Sequence, residues 1–399
     1  MRLSARGDLA YAGRMLRRPL TIASALLLCL VVASACSDDG SSSGTGTTFD
    51  VETLSAPGPY AVGEAQLTLV DTSRPTQAIG TYPGAPDRTL PTRIWYPATS
   101  AGNGATPSGD GPFPIIAWAH GFSSANFEGQ FVGAHLASHG YVVVAPTFPL
   151  SNGGAPAGPS IADMTNQPGD LDFVMRQIAS GAAGDAIAAA IDDTRRGMGG
   201  LSLGGGTVLI GAYHPTWRIG NVSAAMALAP ASCFFGKGMY DGSLPMLIIS
   251  GDSDMLVLIP DGPERAFESA GPPVELLTLH GGNHLGFIGI ESTDGRNADA
   301  GIGCGAIGAG GSIAASGIGP LSTLLQEGVG PSAFDASTCL GSCVEEVPAS
   351  MSAARQLRIT RAAALAHFDA ELRGDRAKGR WLASELAKQE SDVSAALRR

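Results

Sequence analysis

Short, continuous apolar runs recur along this chain, separated by segments with helical periodicity. Pro114–Ala119 (PIIAWA) is followed by a helical pattern over Glu128–Ser138 and then by Tyr141–Ala145 (YVVVA). Gly169–Ile178 places Leu171, Val174, Met175 and Ile178 on one helical face. Gln66–Val70 and Thr92–Tyr96 read as earlier strands, and Gly197–Leu201, Ala224–Ala229, Met246–Ile249 and Val274–Leu279 as later ones. Strands apolar on both faces must be covered on both faces, and parallel neighbours need crossover helices. The pattern predicts an α/β fold: a mostly parallel central sheet flanked by helices.

The two ends break this rhythm. Arg14, Arg17 and Arg18 precede an apolar run from Leu20 to Val32, and Ala33-Ser34-Ala35-Cys36 follows. A basic stretch, a short apolar core and small residues before a cut describe a secretory leader over residues 1–35. The run is short for a membrane span. A cysteine directly after the small residues resembles a bacterial lipobox, which makes Cys36 the candidate lipidation site; ordinary secretion with cleavage near Ala35 is the alternative. Ser/Gly/Thr-rich sequence then reads as a flexible linker, residues 36–59, with the folded domain spanning 60–399. Within that domain residues 291–350 form a Gly/Ala/Ser-rich insertion ahead of a C-terminal amphipathic helix, Arg358–Leu372, which stops at Gly374. The charged tail beyond it is expected to fray.

The formal net charge is −11. It is unevenly spread: residues 36–350 hold ten basic side chains against 29 acidic ones, and Lys237 is their only lysine. A body this acidic repels phosphate backbones, which argues against nucleic-acid binding and for solubility outside the cell.

Two segments fit the G-x-S-x-G pattern. Gly40-Ser41-Ser42-Ser43-Gly44 lies in the linker and shows how cheaply such a pattern arises in a chain with 55 glycines. Gly200-Leu201-Ser202-Leu203-Gly204 differs in context, since Ser202 follows a predicted strand and precedes a helix-compatible run, Gly204–Ala212. A nucleophile elbow requires that strand–turn–helix, with small residues two positions either side of the serine. The competing reading of Ser202 is a helix N-cap. A serine hydroxyl also needs a base, and the base an orienting acid. His284, in the loop His280-Gly281-Gly282-Asn283-His284, is the candidate base, and Asp254, in Gly251-Asp252-Ser253-Asp254, the candidate acid. His280 and Asp252 are their neighbouring rivals. The order Ser202, Asp254, His284 is that of the α/β-hydrolase triad, each member just after a strand. His120-Gly121-Phe122 follows PIIAWA, so backbone N–H groups of Phe122 and Leu203 are the candidate oxyanion donors. His120 itself is expected to brace that loop.

At these residues the chain resembles the plasma-type platelet-activating-factor acetylhydrolase family, which includes proteins called predicted dienelactone hydrolases. The likeness runs from Val62 to Gly286 through RIWYPA, AWAHGFSS, HLASHGYVVVAP, GLSLGG, GDSD and GGNH. Bacterial cutinase-like polyester hydrolases are similar over the triad segments. The resemblance implies a serine ester hydrolase that needs no cofactor, with Ser202, Asp254 and His284 as triad and Phe122 and Leu203 as oxyanion donors. Leu201 stands where relatives often carry His. Dienelactone hydrolases proper use a cysteine nucleophile, which this chain lacks at Ser202. The 291–350 insertion has no counterpart in the resemblance and leaves the substrate pocket open.

Cys29 and Cys36 belong to the leader, leaving Cys233, Cys304, Cys339 and Cys343. An exported domain permits disulfides, and four cysteines allow three pairings. The short loop CLGSC favours Cys339–Cys343, while zinc is disfavoured because no His lies near these cysteines in sequence. No metal-ligand cluster stands out. The expected function is a bacterial extracytoplasmic carboxylic-ester hydrolase, secreted or lipid-anchored, acting on a neutral or lipid-like ester. A polyester or triglyceride hydrolase is the alternative within enzymes, and a non-catalytic binding protein on a hydrolase fold the alternative outside them.

Overall fold

A computed structural model describes residues 48–291, 296–307, 317–337, 339 and 341–399. The leader 1–35, the lipidation candidate Cys36 and the linker up to residue 47 lie outside the described residues.

The chain begins with helix α1 (Val51–Ser55) and strands β1 (Ala61–Asp71), β2 (Arg88–Ala98), β3 (Gly102–Asn103) and β4 (Phe113–Ala119). Helix α2 (Gln130–Ser138), strand β5 (Val142–Pro146), helices α3 (Gln167–Ala179) and α4 (Asp185–Ala189) and strand β6 (Ile191–Leu201) follow. Next come α5 (Leu203–Tyr213), β7 (Ala224–Leu228), β8 (Met246–Gly251), α6 (Pro263–Ser269) and β9 (Val274–Leu279). The C-terminal part holds α7 (Cys304–Ile307), α8 (Ile318–Leu325), α9 (Ala353–Arg373), α10 (Arg376–Arg380), α11 (Leu386–Gln389) and β10 (Val393–Arg398).

These strands form one sheet in the order β10-β9-β8-β7-β6-β4-β5-β2-β1-β3. The central run from β5 through β4 and β6 to β9 is parallel. Antiparallel β2 and β1 extend one edge and antiparallel β10 the other. This is the architecture the sequence predicts. The strands alternate between two cores, as a two-residue side-chain period requires. Ile115, Ala117, Val142 and Val144 face a core shared with Leu171, Val174 and Met175 of α3 and Val208 of α5. Ile116, Trp118, Val143 and Ala145 face the opposite one, closed by α1, α2 and α9.

Three expectations need correction. The linker ends earlier than residue 59, because α1 buries Val51 and Leu54 against the α9 side of the sheet. Asp50 caps this helix by accepting the Thr53 N–H, and Thr53 closes the reciprocal bond. The tail does not fray. Trp381, Leu382 and Leu386 are buried, and β10 pairs with β9 from Val393↔Leu279 to Arg398↔Val274. Finally, Cys339 does not pair with Cys343. The disulfides are Cys233–Cys339 and Cys304–Cys343, because the insertion folds back on the body and brings distant sulfurs together. Among the described residues no helix is long and apolar enough to cross a membrane.

Candidate active site

Ser202 sits between the C-terminus of β6 and the N-terminus of α5, at φ +58° and ψ −118°. Side chains avoid that region, so the surroundings must hold it. They do: Ser202 donates its N–H to Leu228 O (2.8 Å), and its carbonyl accepts from Ala231 (2.9 Å) and Gly206 (3.0 Å). The glycines are dictated by contact. A Cβ at Gly200 would strike the Gly204 carbonyl, and one at Gly204 would strike the Ala119 carbonyl. The motif that proves little as a pattern is thus a steric necessity at this turn. Leu203 opens α5, where first-turn N–H groups have no intrahelical acceptor.

Asp254 and His284 stand on the loops after β8 and β9, two neighbouring strands. Asp254 Oδ2 lies 2.7 Å from His284 Nδ1, while Asp254 Oδ1 accepts the N–H groups of Leu256 and Val257 (2.8 Å each). Both side chains are buried. The rivals form a separate, half-exposed pair: His280 Nδ1 lies 2.8 Å from Asp252 Oδ2, and Asp252 Oδ1 accepts from Gly281 N (2.6 Å). Burial by itself would depress the His284 pKa. The charge and hydrogen bond of Asp254 oppose this, with Asp299 and Glu128 adding, and the net effect raises it above the ordinary 6.5.

The His120–Phe122 loop is braced from two sides. His120 Nε2 accepts the Phe148 N–H (3.0 Å), which leaves Nδ1 to donate to Gly121 O (2.7 Å). Burial pushes the His120 pKa down to about 4, so this ring is a neutral strut. Glu128, buried at the start of the following turn, accepts the Gly121 N–H with both oxygens (2.9 Å each). Its pKa is pushed up to about 7, by burial above all. With the Gly121 N–H engaged, the next amide in the loop is that of Phe122.

Phe122, Ser202 and Leu203 line one cavity of about 360 Å³. Its other walls come from Ala231–Phe234, from Leu256–Leu258 and from the insertion through Ile318, Ala336, Cys339 and Ser342. No lysine or arginine contributes to the wall among the described residues.

Sequence reasoning did not single out three supporting groups. Asp299, in the insertion, is fully buried and accepts the N–H groups of Met255 (3.0 Å), His284 (2.9 Å) and Leu285 (2.9 Å). It therefore ties the Asp254 loop to the His284 loop. Asn297 adds to the tie, donating to Ser253 O (2.8 Å) and Val347 O (2.7 Å). Gln356 on α9 clasps Asn283 through N–H and carbonyl. Among the other histidines, His214 is held by backbone, bonding Leu325 O and accepting from Thr216 and Trp217. No group of side chains that could hold a metal is found among the described residues.

A family model described as PET hydrolase-like matches residues 91–287, the segment that carries His120–Phe122, Ser202, Asp254 and His284. A solved structure, described as a ferulic acid esterase from Streptomyces cinnamoneus, superposes with a TM-score of 0.56 at 19% identity, covering 86% of this chain and 98% of that one. The chain has an α/β-hydrolase fold. Its similarity within that fold extends to the cutinase-like polyester hydrolases. No curated protein matches the chain. The two disulfides of the chain suit an oxidising, extracytoplasmic compartment.

Proposed function

We propose that the chain is a serine carboxylic-ester hydrolase that cleaves neutral, apolar esters through an acyl-enzyme. The observation that carries this reading is the buried Asp254–His284 pair at 2.7 Å, set after β8 and β9 of the parallel sheet in which β6 ends at a strained Ser202 on an apolar cavity. In the proposed mechanism Ser202 Oγ attacks the ester carbonyl while His284 takes its proton and then passes it to the leaving alcohol. Asp254 fixes the tautomer by accepting from Nδ1–H and stabilises the imidazolium. The N–H groups of Leu203 and Phe122 hold the oxyanion, and a water activated by His284 releases the acid. None of these steps calls for a cofactor or a metal. The family match favours a second reading, hydrolysis of a polyester. Attachment of the mature chain to the bacterial envelope through lipidated Cys36 completes the proposal.

A fluorophosphonate probe tests the mechanism directly. Labelling should map to Ser202 and disappear in Ser202→Ala. A binding protein on a dead hydrolase fold would not label. Product release from a polyester film, compared with p-nitrophenyl esters from acetate to palmitate, separates the two substrate readings.

A further inference from the structure

The insertion passes the Ser202 cavity over residues 333–343, and that stretch is fastened to the body near both of its ends. At one end, Asp335 N–H donates to Phe234 O (3.0 Å), Gly236 N–H donates to Ala333 O (3.0 Å), and the Cys233–Cys339 disulfide links the two segments. At the other end, Cys343 donates to Met255 O (2.8 Å) and Ser342 Oγ donates to Leu256 O (2.7 Å), while Cys304–Cys343 ties this end to an earlier part of the insertion itself. Four of the residues so placed or linked, Ala336, Cys339, Gly341 and Ser342, face the cavity. The wall is therefore cross-linked to the body at one end, cross-linked within the insertion at the other, and hydrogen-bonded to the Phe234–Gly236 segment and to the loop that carries Asp254. A segment fastened in this way acts as a fixed boundary.

The chemistry decides which half of the ester faces this boundary. The leaving oxygen must take its proton from His284, so the alcohol lies on the His284 side. The cavity wall includes Ser202, Leu203 and Phe122 but not His284. The acyl group, which stays on Ser202 after the alcohol leaves, therefore occupies the cavity. A volume of about 360 Å³ is near the lower end of ligand pockets, roughly 300–1,000 Å³.

We infer that the twice-fastened return of the insertion is the acyl-side wall of the site, and that it restricts the enzyme to esters with compact, apolar acyl groups. The inference rests on the serine-hydrolase reading above. It assigns the Gly-rich insertion a specificity role that the flanking hydrolase segments do not supply.

The test compares kcat/KM for p-nitrophenyl butyrate, octanoate and palmitate in three proteins, each also labelled with a fluorophosphonate. Wild type should favour butyrate over palmitate. Cys233→Ala/Cys339→Ala removes the disulfide that joins the wall to the body and should raise the palmitate-to-butyrate ratio by roughly tenfold or more. Ala336→Phe keeps both disulfides and fills the cavity, and should lower the octanoate-to-butyrate ratio by a similar factor. If the double variant is too unstable to assay, Ala336→Phe alone decides. Ratios unchanged in the assayable variants, with Ser202 still labelled, overturn the inference and leave the hydrolase reading standing. Absence of labelling in wild type overturns the hydrolase reading and this inference together.

Discussion

Asp254 divides its carboxylate between His284 and its own loop. One oxygen lies 2.7 Å from His284 Nδ1, and the other takes the N–H groups of Leu256 and Val257 at 2.8 Å. Asp252, two residues earlier, makes the same kind of pair with His280 but in solvent. Asp254→Asn should therefore lower kcat by orders of magnitude, about 10⁴ where an amide imposes the wrong tautomer on such a triad. Asp252→Asn should change kcat/KM by less than about threefold, as exposed pairs contribute little. Steady-state kinetics on both variants checks the assignment, and the reverse ranking would exchange the two carboxylates.

The surroundings of His284 also fix the direction of the pH profile. General-base catalysis needs the neutral ring, so activity should rise with pH. The raised pKa puts the midpoint above the ordinary 6.5. Stability should run the other way. A folded-state pKa above the unfolded value contributes stability that is full below about 6.5 and is lost as pH rises through the folded value. Profiles of kcat/KM and Tm between pH 5 and 10 would show both trends; an activity midpoint below 6.5 contradicts the electrostatics.

Ser202 sits where only glycine is comfortable. Strain of this kind costs about 1–3 kcal/mol. Ser202→Gly should abolish turnover and raise Tm by a few degrees, whereas Ser202→Ala should abolish turnover and leave Tm nearly unchanged. Calorimetry of the two inactive variants distinguishes backbone relief from loss of the hydroxyl. Equal Tm values would mean that the turn stores no strain.

Asp299 accepts three backbone N–H bonds from the Asp254 and His284 loops and places a negative charge near His284. Asp299→Asn keeps the shape, loses the charge and points an amide donor at backbone donors. An unsatisfied buried group costs about 1–3 kcal/mol, so Tm should fall. Activity should fall at least about tenfold, since small displacements at a catalytic site are expensive. The midpoint of the pH profile should move down as well, because one of the charges favouring the imidazolium is gone. A purely structural role would lower Tm without moving that midpoint.

How much of this was legible in the sequence depends on what fixes each feature. The parallel strands were readable because burial on both faces leaves continuous apolar runs such as FPIIAWA. The elbow was readable because collisions at Gly200 and Gly204 forbid side chains there. Strand β10 was not, because backbone pairing holds it and only Val393 is buried among its residues. The disulfides were not, because proximity in sequence favoured Cys339–Cys343 whereas the return of the insertion decides the pairing. Asn297 and Asp299 act by accepting and donating to backbone, which demands no motif. Their one signal is that they are polar residues just ahead of a Gly/Ala-rich run downstream of His284. Helix α1 did carry a signal, the Asp50/Thr53 capping pair around Val51 and Leu54, at the end of a polar linker.

Charge should shape substrate choice. Residues 36–350 hold ten basic side chains against 29 acidic ones, and such a field lowers the local concentration of anions. Inside the site nothing compensates, since no lysine or arginine lines the cavity among the described residues and Asp261 lies in its wall. The apolar lining of Phe122, Leu203 and Leu256–Leu258 rewards an uncharged acyl group. Two contributions therefore disfavour a carboxylate on the substrate, and they differ in their response to salt. The long-range field is screened within about 10 Å at 0.1 M ionic strength, whereas the cost of burying an unpaired charge is not. A neutral ester should be preferred over an anionic ester of equal length, and added salt should narrow the gap without closing it. Measuring kcat/KM for the matched pair at 0.01 M and 0.5 M ionic strength separates the terms. A gap that vanishes in salt assigns the whole effect to the surface, and a preference for the anion means that a cationic group reaches the site.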